Sequence, residues 1–165
     1  MEFRPMKLKD LRKVRELEIS CIKEYFQETI ENKWDDLPQE WKDNLGASSP
    51  KHFRPYLDSG LSFVAEEDGE IYGFIFAQML HHVADCDNLV WIENMAVDPL
   101  VRRNEIGYRL LRETLRAGQA QGADVAHSTI SPDNAPSIML HKKIGFFMDR
   151  RMVALMDLKD PKLKL

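Results

Sequence analysis

The spacing of apolar residues predicts a short strand and then a helix at the start of the chain. Residues 2–6, EFRPM, alternate apolar and polar positions, as a half-buried strand does. In LKDLRKVRELEISCIKEYF the apolar residues recur at roughly helical spacing, and Asp10 lies near the start. This pattern is typical of a helix with one buried face, on which Cys21 falls. The polar stretch 28–48 predicts a loop with a short helix.

The middle of the chain predicts a helix followed by an antiparallel meander. SSPKHFRPYLDSG offers a serine N-cap, Pro50 at the first helical position and Gly60 as a stop. Two apolar runs then flank Asp68-Gly69, a dipeptide typical of a tight hairpin turn. NLVWIENMAV is the next predicted strand, and Pro99 closes it. The intervening Asp85, Cys86 and Asp87 favour a turn over a metal site.

Helical and strand patterns alternate in the last third of the chain. Asn104 to Gln121 has a helical apolar stripe, and ADVAHSTI is a predicted strand. NAPSIMLHKKIG predicts a helix that is capped by Asn134 and stopped by Gly145. FFMDRRMVALMDL predicts one or two strands, with its methionines in strand packing. The order of elements predicts one α+β (mixed α/β) domain over residues 1–165.

Composition and charge narrow the function classes. The 165 residues carry a formal net charge of −4 and 30% charged residues. This balance argues against a nucleic acid or an anionic membrane as partner, and it leans toward a cationic partner such as an amine. The sequence has no apolar run long enough to span a membrane and no signal peptide at its start, so we expect a cytoplasmic protein. Cys21 and Cys86 lack metal-ligand spacing, so we expect free thiols and no metal.

Two motifs carry a resemblance to a known family. VDPLVRRNEIGYRLL resembles the cofactor signature of the GNAT superfamily of acetyl-CoA-dependent N-acetyltransferases: a strand ending Val-x-Pro, then Arg-x-x-Gly-x-Gly opening a helix. NAPSIMLHKKIGF is similar to the family's second signature. The opening FRPMKLKDLRKV and the hairpin FVAEEDGEIYGFIFA also resemble family members. The similarity covers nearly the whole chain and is weakest between residues 28 and 60.

The resemblance implies a fold and a co-substrate. The fold is a central, mostly antiparallel twisted sheet that is splayed at two parallel strands and flanked by helices. The pantetheine arm of acetyl-CoA would lie in the gap between NMAV and ADVAHST, and backbone amides at a helix N-terminus would hold its pyrophosphate. Arg102 and Arg103 would add charge-assisted bonds to phosphate, and Gly107 would let the backbone approach closely. The implied binding residues are Met95, Ala96, Val97, Arg102, Arg103, Asn104, Glu105, Ile106, Gly107, Tyr108, Asn134 and Ser137.

The sequence departs from the family pattern at two of these positions. Glu105 replaces the first glycine of the signature; its carboxylate suits a helix N-terminus but repels pyrophosphate unless it faces outward. A non-glycine residue there also predicts ordinary backbone angles. His141 replaces the tyrosine that protonates the departing thiolate, on the same helical stripe as Asn134 and Ser137. We expect acetyl-CoA binding to be retained; His141 is either the acid or a half-exposed histidine without a catalytic task.

Glu93 is the candidate base. Acyl transfer to an amine needs a neutral amine, so a group must accept the proton of the ammonium ion. In family branches that acetylate polyamines and aminoglycosides, a glutamate at this offset lies beside the acceptor amine. Burial in an apolar strand would raise the pKa of Glu93, whereas a solvent-facing glutamate would need no explanation. Alternation places Trp91 on the same face of the strand.

The sequence therefore predicts an N-acetyltransferase that moves an acetyl group from acetyl-CoA to a primary amine, on a small molecule or a peptide or protein. Attack is direct, with the amide near Met95 polarising the thioester carbonyl. The alternative is a catalytically degenerate acyl-CoA-binding GNAT module. A homodimer is common in the family, and the residues leave the oligomeric state open. An acidic run either favours a cationic acceptor or forms a solvated face; its members are Glu24, Glu28, Glu31, Asp35 and Asp36.

Overall fold

The computed structural model describes residues 1–29, 34–159 and 161, and its strands form one mixed sheet. The strands of these residues are β1 (Glu2–Pro5), β2 (Phe63–Glu67), β3 (Glu70–Val83), β4 (Cys86–Val97) and β5 (Val125–Ser128). They neighbour one another in chain order. The pairs from β1 to β4 are antiparallel, whereas β4 and β5 are parallel. The predicted mixed fold class is confirmed.

Helices flank the sheet on both faces. They are α1 (Leu11–Thr29), α2 (Gln39–Asn44), α3 (Arg54–Asp58), α4 (Ile106–Ala120) and α5 (Ala135–Ile144), with 3-10 turns at Leu8–Asp10, Trp34–Asp36 and Pro99–Val101. The prediction for α5 is confirmed at both ends. The Asn134 side chain accepts a hydrogen bond from the Ser137 amide at 3.1 Å, and Gly145 ends the helix at a φ of +110°.

Alternation along β3 divides the core into two layers. Phe74 and Phe76 pack with Val14 and Leu17 of α1 on one face of the sheet. Ile75 and Ala77 face the other side and join a cluster that is closed by α4. Helix α4 lies close to the sheet at Gly118, where a Cβ atom would collide with Val90 Cγ2.

The predicted hairpin turn is confirmed. Asp68 and Gly69 join β2 to β3 with φ values of +51° and +83°, both in the left-handed region that this tight turn requires. Ala84 and Asp85 join β3 to β4 in the same way, with φ values of +51° and +60°. Cys86 is therefore not part of a turn but the first residue of β4.

The described residues contain neither a membrane-spanning helix nor a metal-binding cluster. None of their helices is long and apolar enough to cross a membrane. The same residues contain no cluster of histidine, cysteine or carboxylate groups that could hold a metal ion. Cys21 and Cys86 are free thiols.

The helix predicted from Pro50 begins later, at Arg54. The prediction is wrong because the polar groups that precede the helix form hydrogen bonds with other partners. The Ser48 amide donates to the Glu18 carboxylate at 3.0 Å, and the Ser49 hydroxyl bonds to His52 Nδ1 at 2.9 Å. Residues 48–53 consequently form turns.

The strands predicted in FFMDRRMVALMDL are also wrong. Residues 146–157 form no strand, and β5 pairs with β4 alone among the described strands. Met152 and Met156 are exposed instead of lying in strand packing. Alternation favours a strand, but a strand also needs a neighbour with which to exchange backbone hydrogen bonds.

Candidate active site

The parallel strands β4 and β5 separate partway along their length. They pair from Leu89 with Val125 to Ile92 with Ser128, and no further. The backbone of residues 93–97 therefore has no strand partner on the side that faces β5. A cavity of about 110 Å³ opens in the gap. Its lining brings together five predicted site residues, namely Glu93, Met95, Asn134, Ser137 and His141.

Glu93 lies at a β-bulge. Phe76 of β3 pairs with Asn94 and Ala77 pairs with Ile92, so Glu93 is an extra residue without a partner. A bulge bends a strand and redirects a side chain, and here the Glu93 side chain is exposed. Of the two alternatives that the sequence left open for Glu93, burial and solvent exposure, the structure shows exposure. The predicted proximity of Trp91 is confirmed, because its indole N–H donates to Glu93 Oε2 at 2.6 Å.

Tyr56 of α3 also reaches Glu93. Burial and the neighbouring Glu93 carboxylate raise the pKa of Tyr56 to about 12, so its hydroxyl stays protonated at neutral pH beside that carboxylate. The sequence analysis missed Tyr56. It lies in a short helix, in the part of the chain where the family similarity is weakest, and no periodic signal marks it.

A second carboxylate lies behind the bulge. Glu18 of α1 is fully buried and accepts hydrogen bonds from Asn94 Nδ2 at 2.6 Å and from the amides of Ala47 and Ser48 at 3.0 Å each. The Ser48 hydroxyl donates to it as well. Glu18 thus ties the loop before α3 to β4 beside Glu93. One signal could have identified it, since it is an acid on the apolar face of α1, next to Leu17.

His141 is buried at 1% exposure, so the half-exposed alternative is wrong. Its Nδ1 lies 2.8 Å from the backbone oxygen of Ser137, and the ring of Phe146 packs edge-on at 4.9 Å. Burial lowers the pKa of His141, which favours the neutral ring. No hydrogen-bond partner for His141 Nε2 is found among the described residues.

The N-terminus of α4 presents unused backbone donors. Glu105 is the N-cap residue, and its side chain makes no capping hydrogen bond. The first bond of the helix runs from the Arg109 amide to the Glu105 oxygen at 2.9 Å. The amides of Ile106, Gly107 and Tyr108 precede that bond and have no acceptor within the helix. Such donors form an anion-binding site.

The expectation of ordinary backbone angles at Glu105 is wrong. Glu105 adopts a φ of +60°, and Arg103 a φ of +68°, both in the left-handed region. That region suits glycine, which explains why a glycine serves at this position in the family signature. The Glu105 carboxylate pairs with Lys143 Nζ of α5 at 2.7 Å, and this ammonium group lowers the pKa of Glu105. The carboxylate is therefore held on α5 instead of capping the amides.

Arg102 forms an ion pair with Glu24, one residue of the acidic run. Its guanidinium binds both oxygens of Glu24, at 2.9 and 2.5 Å, and its Nε donates to the Val97 oxygen at 3.1 Å. The ion pair raises the pKa of Arg102. Arg103 is exposed, and phosphate binding by either arginine stays a prediction. Asp35 and Asp36 are exposed, while the Glu28 side chain and Glu31 lie outside the described residues.

Gly107 packs against protein. A Cβ atom there would lie 3.3 Å from Leu140 Cδ2 and 3.5 Å from Met95 Cε. The glycine thus allows α4 to approach α5 and β4 at the end of the gap. Its approach to a phosphate stays a prediction.

Replacement of Glu105 by glycine is expected to tighten acetyl-CoA binding and to raise the melting temperature by about 2–4 °C, because it removes both a negative charge and a left-handed strain. Calorimetric titration and thermal unfolding measure the two effects. Glu105→Gln is the matched control, since it removes the charge and keeps the strain. It should improve binding without raising the melting temperature. Weaker binding by Glu105→Gly would show that the carboxylate supports the site.

The fold is that of the GNAT acetyltransferases. The structure of AAC(6')-Iy in complex with the bisubstrate analogue CoA-S-monomethyl-acetylneamine matches with a TM-score of 0.69 and 24% identity, over 94% of this chain and 97% of that chain. The aminoglycoside 6'-N-acetyltransferase AAC(6')-IG from Acinetobacter haemolyticus matches with a TM-score of 0.68 and 17% identity, over 95% and 98%. Within this fold, the chain belongs to the family described as "Protein of unknown function (DUF1999)", which it matches over residues 1–165.

Curated relatives are named for amine acetylation. The chain is 32% identical over 95 residues to the aminoglycoside N(6')-acetyltransferase type 1 of Salmonella typhimurium, covering 56% of this chain and 66% of that protein. It is 31% identical over 86 residues to the L-2,4-diaminobutyric acid acetyltransferase of Vibrio parahaemolyticus, covering 52% and 46%. The match thus spans just under two thirds of the first relative and less than half of the second.

Proposed function

We propose that this protein is an N-acetyltransferase that transfers an acetyl group from acetyl-CoA to a primary amine by direct attack. The observation that carries the proposal is the uncapped N-terminus of α4 beside the gap between β4 and β5. Three backbone donors there suit a pyrophosphate, and the unpaired edge of β4 from Glu93 to Val97 suits the amide groups of a pantetheine arm. The acetyltransferase relatives support the same reading.

The acceptor is proposed to be a small cationic amine. Glu93 offers an exposed carboxylate at the cavity, the Trp91 indole holds it by a hydrogen bond, and the Tyr56 hydroxyl lies close enough for the carboxylate to raise its pKa. An ammonium ion would bind beside this carboxylate, and Glu93 would accept the proton that it must lose before attack. The two relatives named above act on amines, in keeping with this chemistry. A peptide or protein amine is the less favoured acceptor, because no observation at the cavity selects it.

Binding and positioning would supply much of the rate. Two reactants held together in the cavity need no covalent intermediate, since a bimolecular step becomes an effectively unimolecular one. A degenerate binding module would share the donors of α4 but would not need the carboxylate at the bulge. The pairing of Glu105 with Lys143 reduces the charge repulsion toward a pyrophosphate and so supports acetyl-CoA binding in either case, whereas the carboxylate at the bulge favours the enzyme.

The test is a calorimetric titration with acetyl-CoA, with adenosine 3′,5′-bisphosphate as the fragment control, followed by thiol release with a panel of amines. The panel contains an aminoglycoside, 2,4-diaminobutyrate, a polyamine and a lysine peptide. Micromolar binding, weaker for the fragment, together with turnover of a small amine supports the proposal. Binding without turnover of any amine would favour the module. Absence of acetyl-CoA binding would contradict both the enzyme and the binding module.

A further inference from the structure

We propose that His141 is a proton acceptor during acetyl transfer, and that its Nε2 carries a proton from the attacking amine to the departing thiolate. This inference rests on the proposed function. It adds an acceptor step to the role expected from the position of His141 in the sequence, where a tyrosine of the family acts as an acid.

The hydrogen bond at Nδ1 fixes the tautomer. Nδ1 lies 2.8 Å from the backbone oxygen of Ser137, and a carbonyl oxygen can only accept a hydrogen bond. Nδ1 therefore carries the proton of the neutral ring, and Nε2 carries the lone pair. With Nδ1 tied back to its own helix, Nε2 is the nitrogen that reaches away from it. A neutral histidine in this tautomer accepts a proton at Nε2 and has none to give there.

The position of the ring suits this task. His141 lines the cavity from α5, and Glu93 lines it from β4, so the two residues border the same volume from different elements. Nε2 is buried and unpartnered among the described residues. A buried acceptor without a donor costs free energy, which a bound donor would recover.

The chemistry of acetyl transfer requires two proton removals from nitrogen. The ammonium ion loses the first before it can attack, and Glu93 passes this proton to solvent. The nitrogen lone pair then forms a bond to the thioester carbon and leaves a positively charged nitrogen beside an oxyanion. His141 Nε2 takes the second proton from that nitrogen. The carbon–sulfur bond breaks as the carbonyl re-forms, and the thiolate takes the proton from Nε2. The products are the amide, the thiol of CoA and one proton released to solvent.

The surroundings keep His141 neutral until that step. Burial lowers the pKa of His141, and no charged group contributes to the shift. On its own helix, Lys142 is exposed and Lys143 pairs with Glu105. From α4, Tyr108 lies under the Lys143 ammonium at 4.9 Å. Glu93 is the titratable group that faces the cavity from β4, and the Phe146 ring covers another side.

The first test uses the wild-type protein. Nitrogen-15 NMR of the histidine rings, assigned with His141→Gln, reports which nitrogen is protonated. A proton on Nδ1 and a pyridine-like Nε2 at neutral pH are expected. A proton on Nε2, or a doubly protonated ring, would overturn the proposal.

The second test is kinetic. His141→Gln keeps a polar group near the position of Nε2 but cannot accept a proton, so kcat is expected to fall about 10²–10⁴-fold with the acetyl-CoA Kd unchanged. The ratio of wild-type to variant kcat should fall as the pH drops through the His141 pKa, below the ordinary 6.5 of histidine. A proton donor would give the opposite sign, with the ratio falling as the pH rises. In this ratio, the ionisations that the two proteins have in common cancel.

Lys142→Gln, an exposed neighbour on the same helix, is the matched control and should leave kcat unchanged. Wild-type turnover that survives in His141→Gln would overturn this inference and leave the proposed function intact. Absence of turnover in the wild-type protein with every amine would instead overturn the proposed function, and the inference with it. The unchanged Kd for acetyl-CoA shows that the variant is folded.

Discussion

Glu18→Gln is expected to destabilise the protein on the order of 3 kcal/mol, because a buried carboxylate that accepts four hydrogen bonds becomes an amide. The amide keeps one acceptor oxygen, but its NH₂ group must face donors that also need an acceptor. For a domain of this size the loss corresponds to a melting temperature about 6–12 °C lower. Urea unfolding and a thermal melt measure it.

Glu16→Gln is the matched control. Glu16 lies on the same helix and is exposed and paired with Arg12. The free energy of unfolding of this variant should therefore differ from wild type by no more than about 0.5 kcal/mol. Gly46→Ala tests the same contact from the loop. Gly46 has a φ of +82°, and a Cβ atom there would stand 2.5 Å from the Glu18 carboxylate. Wild-type stability in both Glu18→Gln and Gly46→Ala would show that the loop does not depend on this carboxylate.

Glu93→Gln is expected to lower kcat about 10²–10⁴-fold and to leave the acetyl-CoA Kd unchanged. Glutamine retains an oxygen that can accept from the Trp91 indole, but it cannot take a proton from an ammonium ion. The difference in kcat between wild type and variant should become smaller as the pH approaches the pKa of the acceptor amine, because more of the amine is then neutral without the help of a base. Steady-state kinetics across pH with the best amine of the panel measure this.

The control for Glu93→Gln is Glu40→Gln, an exposed glutamate of α2 away from the cavity, which should behave as wild type. A constant deficit at every pH would indicate that Glu93 binds the amine without deprotonating it. An unchanged kcat would remove Glu93 from the mechanism, and Tyr56 and Trp91 with it.

Local signals predicted the fold well where each element carries its own start and stop. Helix α5 follows from Asn134 and Gly145, and the β2–β3 hairpin follows from Asp68-Gly69, because the residues that set each boundary lie inside the segment. The prediction of strands near the C-terminus was wrong for the opposite reason. A strand depends on a neighbour, and the alternation in residues 146–158 contains no information about one.

The site was predicted in part. Glu93 and His141 were found from the family pattern and do line one cavity. Their states could not be read from the sequence, because the exposure of Glu93 depends on a one-residue offset against β3, and the tautomer of His141 depends on a carbonyl direction. The partnership of Glu105 with Lys143 spans 38 positions in the chain, and neither residue signals the other.

The bulge at Glu93 bears on how freely the cavity could vary in sequence. Phe76–Asn94 and Ala77–Ile92 would be consecutive pairs of a regular ladder if Glu93 were deleted. The sheet therefore does not require this residue, and no partner strand constrains its side chain. Position 93 can vary with little cost to folding, while the paired residues on either side hold the strands in place. Under the proposed function, a substitution at position 93 therefore changes the chemistry of the cavity separately from the stability of the fold.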